Sequence, residues 1–289
     1  MKFTTYLRDG APRLAVVDGR NLIDLNDAQP KVPADLRAAL ETGTDLHAAA
    51  RAALDDSTAK RIAWSSVQLA PLVPEPGKTV CLGLNYFDHA KEGGREKPDY
   101  PWFFFRGASS LIAHGDDGVV PLVSTKFDYE AELAVVIGRK VPRHTQQADA
   151  LQYVFGYSCF NDMSVRDYQK RTPQWTIGKN FDGTGAFGPL LVTADELPPG
   201  AAGLKIQGRL NGQVMQSANT SDMIFNVAET IALLAEVLTL APGDVIVMGT
   251  PAGVGQARTP PVWMKAGDTY EVEIERIGTL ANAIVNEAR

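Results

Sequence analysis

With 289 residues and 45% hydrophobic content, the chain can bury a large core, as one big domain or a large one with a small appendage, and is not a disordered protein. Its 28 basic residues against 34 acidic ones leave a net charge of −6, which argues against a nucleic-acid or anionic-membrane surface and for small-molecule chemistry. Two cysteines in apolar runs, an N-terminus without a signal-peptide core and no apolar run near the roughly 18 residues of a membrane span predict a reduced, soluble, cytoplasmic protein.

From Phe3 to Leu25, short apolar stretches punctuated by Asp9-Gly10 and Asp18-Gly19 predict a small β meander with tight hairpins. Leucines and alanines between Pro33 and Asp56 predict one or two modest helices. Pro71, Pro74 and Pro76 make a stiff connector ending at Gly77, which places a boundary between a small N-terminal domain, 1–74, and a main domain, 75–289.

The main domain opens with a buried strand, Thr79–Leu84. His89 and Glu92 follow, three residues apart and so on one helical face, in a turn closed by Gly93-Gly94 and free to move. They are either a general base with its orienting partner or an ordinary charged pair on a surface helix. Trp102–Phe105 reads as a buried aromatic strand. In the stretch Asp128-Tyr129-Glu130-Ala131-Glu132-Leu133, which runs into apolar Ala134–Gly138, strand alternation puts Glu130 and Glu132 on one face. Carboxylates that close repel unless a cation lies between them or one takes a proton, so the pair is a metal site, an acid/base pair or a solvated strand edge.

Asp149–Tyr153 reads as helical, and Val154–Phe160 as a strand ending at Asn161-Asp162. From Asp162 to Arg171 the pattern is helical, and Asp162, Arg166 and Gln169 at i, i+4 and i+7 form one stripe. That stripe is a site for a polar anionic ligand, or Asp162 is a helix N-cap with Arg166 as its salt-bridge partner. Lys179 stands among apolar and aromatic neighbours. It is a snorkelling surface residue or, near a metal cluster, a group that stabilises developing negative charge.

Leu204–Ser217 reads as a hairpin through Asn211-Gly212, and Met223–Leu238 as an amphipathic helix with Met223 in the core. The run Gly249-Thr250-Pro251-Ala252-Gly253-Val254-Gly255 lacks the spacing of a dinucleotide or phosphate-binding fingerprint, which excludes nucleotide binding. Its glycines still allow close backbone approach to a ligand, and Thr250 offers a hydroxyl. Tyr270–Glu275 alternates as a half-buried strand with its glutamates on the solvated face.

Taken together, Asn85-Tyr86 to Glu92, Asp128–Gly138, Asn161-Asp162 with Arg166-Asp167, Gly178-Lys179, Leu210-Asn211-Gly212 and Pro242-Gly243-Asp244 to Gly255 resemble the fumarylacetoacetate hydrolase family over roughly residues 75 to 285. The resemblance implies an α+β, predominantly β fold, a mixed β-roll carrying the small N-terminal α/β unit, in a homodimer that binds Mg²⁺ or Mn²⁺. It puts the metal carboxylates on Glu130, Glu132 and Asp162 and a catalytic histidine and glutamate on a closing lid at His89 and Glu92. Arg166, Gln169, Lys179 and Thr250 become substrate contacts, with Lys179 also stabilising an oxyanion. Two departures, a shorter span from Asp162 to Lys179 and Arg106 in place of a common lysine, bear on substrate identity.

The function so implied is a divalent-metal-dependent hydrolase cleaving a C–C bond in an acylpyruvate or related 2,4-dioxo acid through a metal-bound enolate, the partner being a small anionic 2-oxo acid. Alternatives on the same site are an oxaloacetate-type decarboxylase, a 2-hydroxydienedioate isomerase and a ureidoglycolate-type lyase. A binding protein with a structural cation is the non-enzymatic alternative.

Overall fold

A computed structural model describes residues 1–288. The N-terminal part holds the expected meander: β1 (Lys2–Arg8), β2 (Ala11–Asp18), β3 (Asn21–Asp24) and β4 (Ile62–Ala63), with helices at Leu36–Glu41 and Leu46–Asp55 between the last two. Asp35 and Asp45 cap these helices by accepting from Ala38 N and Ala48 N, each at 2.9 Å. The remaining strands are β5 (Thr79–Gly83), β6 (Trp102–Arg106), β7 (Leu111–Ile112), β8 (Gly118–Val120), β9 (Phe127–Asp128), β10 (Ala131–Ile137), β11 (Val154–Asp162), β12 (Ser164–Val165), β13 (Gly185–Thr193), β14 (Lys205–Leu210), β15 (Gln213–Asn219), β16 (Val245–Val247), β17 (Thr269–Ile274) and β18 (Gly278–Asn286).

The fold is α+β and predominantly β. A large mixed sheet runs β4-β3-β2-β1-β13-β11-β10-β16-β5-β6, with β7 added beside β13, and a five-stranded sheet runs β15-β14-β17-β18-β8. The proline connector separates the N-terminal unit in sequence, while the sheet joins it in space: β1 pairs with β13, Lys2 opposite Val192 and Phe3 opposite Leu191.

Every residue of β10 is buried, and its alternation serves two cores. Leu133, Val135 and Ile137 pack with Ile206, Val272 and Leu280 of the five-stranded sheet. Ala134 and Val136 point the other way, into a core shared with Leu36, Leu40, Leu46 and Ala50 of the N-terminal helices. Glu132 therefore shares the even-numbered face, and Glu130, immediately before the strand, follows the same parity.

Some expectations change. The Asp162–Arg171 stretch is not one helix: Asp162 ends β11, Ser164 and Val165 pair with Asp128 and Phe127, and a single helical turn spans Arg166–Gln169. In the aromatic strand β6 only Phe104 and Arg106 are buried, while Trp102 and Phe105 are 42% and 46% exposed. The helix expected from Met223 starts at Val227, capped by Asn226, and Met223 is only half-buried against the core. Glu271 and Glu273 of β17 are not simply solvated, because both bind Arg209 of β14. The Asn211-Gly212 hairpin is as expected, both residues having positive φ, 51° and 79°.

Candidate functional site

Strand pairing brings the carboxylates together. Ala131 of β10 lies opposite Asn161 of β11, and Asp162 N donates to Glu130 O at 3.0 Å, so Glu130 and Asp162 are cross-strand neighbours. Glu132 is the next residue on the same face. One oxygen from each lies within 4.8 Å of the others, and all three residues are buried.

Cations surround the triad. Lys179 Nζ donates to Glu130 Oε2 at 2.7 Å and Asp162 Oδ2 at 2.6 Å. Arg106 Nε donates to the other oxygen of Asp162, and its Nη2 to Met163 O at 2.6 Å. Arg166 joins Asp128 Oδ2 through Nε at 2.7 Å and Glu130 Oε1 through Nη1 at 2.7 Å. Lys179 is thus no snorkelling surface residue; it is 1% exposed.

These charges separate the two glutamates. Burial pushes Glu130 up, but Lys179 and Arg166 outweigh it and hold its carboxyl well below the usual carboxylate range. Glu132 has no such partner. Burial, then Asp162 and Glu130, raise it well above that range. It accepts from Gly249 N at 2.5 Å through Oε2, and its Oε1 is buried without a partner. Burial lowers Lys179, yet Asp162 and Glu130 raise it further, so it stays an ammonium.

This geometry fits a hard divalent cation: an oxygen-only donor set and an orphaned Glu132 oxygen within the cluster.

His89 and Glu92 sit on a six-residue helix, Phe87–Glu92. His89 Nδ1 and Glu92 Oε1 are 2.7 Å apart, and Gly253 N donates to Glu92 Oε2 at 2.8 Å. Glu92 so placed can orient the imidazole ring through Nδ1 while Gly253 N fixes its other oxygen. Asn85 roots this helix: its side chain donates to Phe225 O at 3.0 Å and Met248 O at 2.7 Å and accepts from Phe225 N at 2.8 Å.

One cavity of about 710 Å³ is lined by His89, Glu92, Glu130, Arg166, Gln169, Lys179 and Thr250. Glu132 and Asp162 lie behind this wall. Arg166 does not pair with Asp162 as sequence spacing suggests; it reaches Gln169 Oε1 at 3.0 Å, and its buried Nη2 has no protein partner. Thr250 is already committed: Oγ1 donates to Ala131 O at 3.0 Å and accepts from Gln216 Nε2 at 2.7 Å. The outer wall carries Arg95, 5.0 Å above the Trp102 ring, and Trp175, whose ring is stacked on Trp102 at 5.3 Å.

Sequence reasoning missed Asn85 and Arg106 as anchors, and also Asp128. Asp128 accepts from Gly255 N at 2.7 Å and Gln256 N at 3.0 Å as well as from Arg166, so it ties the glycine-rich loop to the triad's arginine. Its place in the Asp-Tyr-Glu run was the available signal, since it shares the strand face of Glu130 and Glu132.

Comparison with known proteins identifies the family. The model of the fumarylacetoacetate (FAA) hydrolase C-terminal domain matches residues 78–285. Oxaloacetate tautomerase fahd2, mitochondrial, of Xenopus laevis is 40% identical over 274 residues, covering 94% of this chain and 85% of the relative. Among solved structures, fumarylacetoacetate hydrolase of psychrophilic Exiguobacterium antarcticum is 33% identical with a TM-score of 0.85, over 99% of this chain and 100% of the other. Maleylpyruvate hydrolase of Sphingobium sp. SYK-6, solved with manganese(II) ion and pyruvate, is 31% identical with a TM-score of 0.82 and 100% coverage of both chains. The cytoplasmic expectation is corrected here, since curated relatives from Xenopus laevis and Homo sapiens carry mitochondrial names. Lack of an apolar N-terminal core speaks only to secretion, whereas mitochondrial targeting segments are amphipathic and basic. The chain belongs to the fumarylacetoacetate hydrolase family.

Proposed function

We propose that this protein is a divalent-metal-dependent enzyme, using Mg²⁺ or Mn²⁺, that interconverts the keto and enol forms of a small anionic 2-oxo acid, with oxaloacetate as the preferred substrate. The carrying observation is that the His89–Glu92 pair and the face of the acidic cluster formed by Glu130, Lys179 and Arg166 line one cavity. The tautomerase activity named for relatives about 40% identical over most of the chain supports the choice of substrate.

Glu130, Glu132 and Asp162 would hold the cation, which when bound supplies Lewis acidity that makes the C3 proton of a 2-oxo acid easier to remove. Arg166 offers its free Nη2 to the substrate carboxylate, and Gln169 holds the guanidinium plane. His89 Nε2 moves the proton to or from C3, while Glu92 keeps Nδ1 protonated and stabilises the imidazolium that forms. Lys179 offsets charge at the cluster. Thr250 contributes by fixing the loop beside Ala131.

The second reading is C–C bond hydrolysis of an acylpyruvate. The cavity's volume, and the manganese and pyruvate in the maleylpyruvate hydrolase structure, favour it. We further propose a homodimer, supported by the exposed Phe105 on edge strand β6; a monomeric mass in solution would refute it.

The decisive experiment follows loss of enol absorbance from oxaloacetate with Mg²⁺, with Mn²⁺ and with chelator, beside pyruvate release from acylpyruvates. His89→Ala should abolish metal-dependent enol loss while leaving Mn²⁺ affinity nearly unchanged. Pyruvate release alone would select hydrolysis. A chelator-induced fall in melting temperature without turnover of any 2-oxo acid would select a structural cation.

A further inference from the structure

The lid helix, rooted at Asn85, makes few hydrogen bonds of its own to the rest of the molecule. Among the described residues, the bond from Gly253 N to Glu92 Oε2 is the sole hydrogen bond that Phe87–Glu92 makes outside the segment 86–95. A six-residue helix has little stability of its own, so that bond, together with the Asn85 anchor before the helix and the burial of Ala90, sets where His89 stands.

Gly253 is itself held from the other side. Its carbonyl accepts from Tyr129 Oη at 3.2 Å and from Arg258 Nε at 3.3 Å. Arg258 Nε also reaches Tyr129 Oη at 3.2 Å, and Nη2 donates to Met215 O of β15 at 2.6 Å. Tyr129 is fully buried and stacked on Tyr270 at 4.6 Å, so this end of the network is fixed. Gly253 is pressed against the same Met215 carbonyl: φ is +104°, and a Cβ would stand 2.2 Å from that oxygen. Arg258 thus spans the seam between the glycine-rich loop and β15, holding two carbonyls that would otherwise lack its cationic donor.

We propose that Arg258 is a positioning residue for proton transfer, acting through Gly253 and Glu92 to keep the lid closed with His89 facing the cavity. This rests on the reading of His89 and Glu92 given above. Arg258 does not line the cavity, so its effect falls on turnover and not on substrate affinity.

The test compares wild type, Arg258→Ala and Arg258→Lys, each loaded with Mn²⁺, by oxaloacetate enol-loss kinetics and by amide hydrogen exchange of residues 87–94. For Arg258→Ala we expect kcat to fall about 10- to 100-fold with KM within about threefold, as for a catalytic group displaced by about 1 Å. Exchange of the lid amides should quicken about tenfold while β10 amides keep their protection. Added guanidinium ion should restore part of kcat in Arg258→Ala, and Arg258→Lys should lie between the two. Unchanged lid exchange in both variants overturns the proposal, whatever happens to kcat. So does faster exchange that is equal in β10, which marks general destabilisation. If Arg258→Ala does not fold, Arg258→Lys carries both readouts. Should no 2-oxo acid be turned over, the functional reading fails, while the exchange data still decide whether Arg258 holds the lid.

Discussion

Lys179→Met separates the cluster's two roles, as a charge pair and as a cation site. In wild type the ammonium bridges Glu130 and Asp162 at 2.7 and 2.6 Å, with side chains 1%, 6% and 0% exposed. Removing one partner of a buried ion pair costs about 3–5 kcal/mol. Glu130 keeps Arg166 and Asp162 keeps Arg106, so about 3 kcal/mol, the lower end, is expected. A cation at a hundredfold its Kd returns about 2.7 kcal/mol. The variant should therefore lose about 3 kcal/mol in chelator and regain most of it with Mn²⁺. It should also gain more from Mn²⁺ than wild type, whose lysine competes for the same oxygens. Equilibrium urea unfolding of both proteins, with chelator and with Mn²⁺, measures this. A loss below about 1 kcal/mol in chelator, or an equal loss with saturating Mn²⁺, would refute the reasoning.

Glu132→Gln removes a carboxyl that burial, Asp162 and Glu130 push toward its neutral form, so its metal-free melting temperature should equal or exceed that of wild type while Mn²⁺ affinity falls by more than about tenfold. Calorimetric titration and thermal scans in chelator check both halves; unchanged affinity removes Glu132 from the metal set. The same shift fixes a pH dependence. A carboxyl raised in the folded state makes that state bind more protons, so its contribution to stability is present at low pH and lost as pH rises through the raised folded value. Metal-free protein should thus weaken as pH climbs above the ordinary carboxylate range, and saturating Mn²⁺ should flatten the slope. Glu130, shifted the other way, contributes above that range and loses its contribution only at the acid end. Unfolding midpoints across pH that rise or stay level in chelator would count against this assignment. Gly83→Ala probes the outer wall: its Cβ would lie 1.9 Å from Trp175 Cζ3, so the ring must leave Trp102 and disturb the adjoining turn that carries Lys179. The expected cost is about 1–3 kcal/mol with lower turnover and a shifted tryptophan emission; wild-type behaviour would show that the wall yields freely.

Much of this was readable in the chain because it depended on local alternation. The parity of Glu130 and Glu132 and the apolar run after them place two carboxylates on one buried face without knowledge of any partner strand. The i, i+3 spacing of His89 and Glu92 likewise sufficed for their contact. The Asp162–Gln169 stripe misled for the opposite reason. Ser164 and Val165 stay extended because they pair with Asp128 and Phe127, a choice made by residues 36 to 38 positions away. Those side chains still converge, through Lys179 and Glu130 and not along a helix face. Asn85, Arg106 and Arg258 were hidden because each serves backbone groups distant in sequence, which no spacing rule addresses. The exposure of Trp102 and Phe105 was hidden too, since composition does not reveal that β6 ends the sheet.

The burial of β10 on both faces gives the site two clocks. Strand β10 lies mid-sheet between β11 and β16, so the backbone bearing Glu132, and leading from Glu130, opens only when most of the molecule does. Among the described residues the helix Phe87–Glu92 makes one hydrogen bond beyond the segment 86–95, so its opening is expected to cost less. Ligands would exchange through the cavity many times while the carboxylates keep their places.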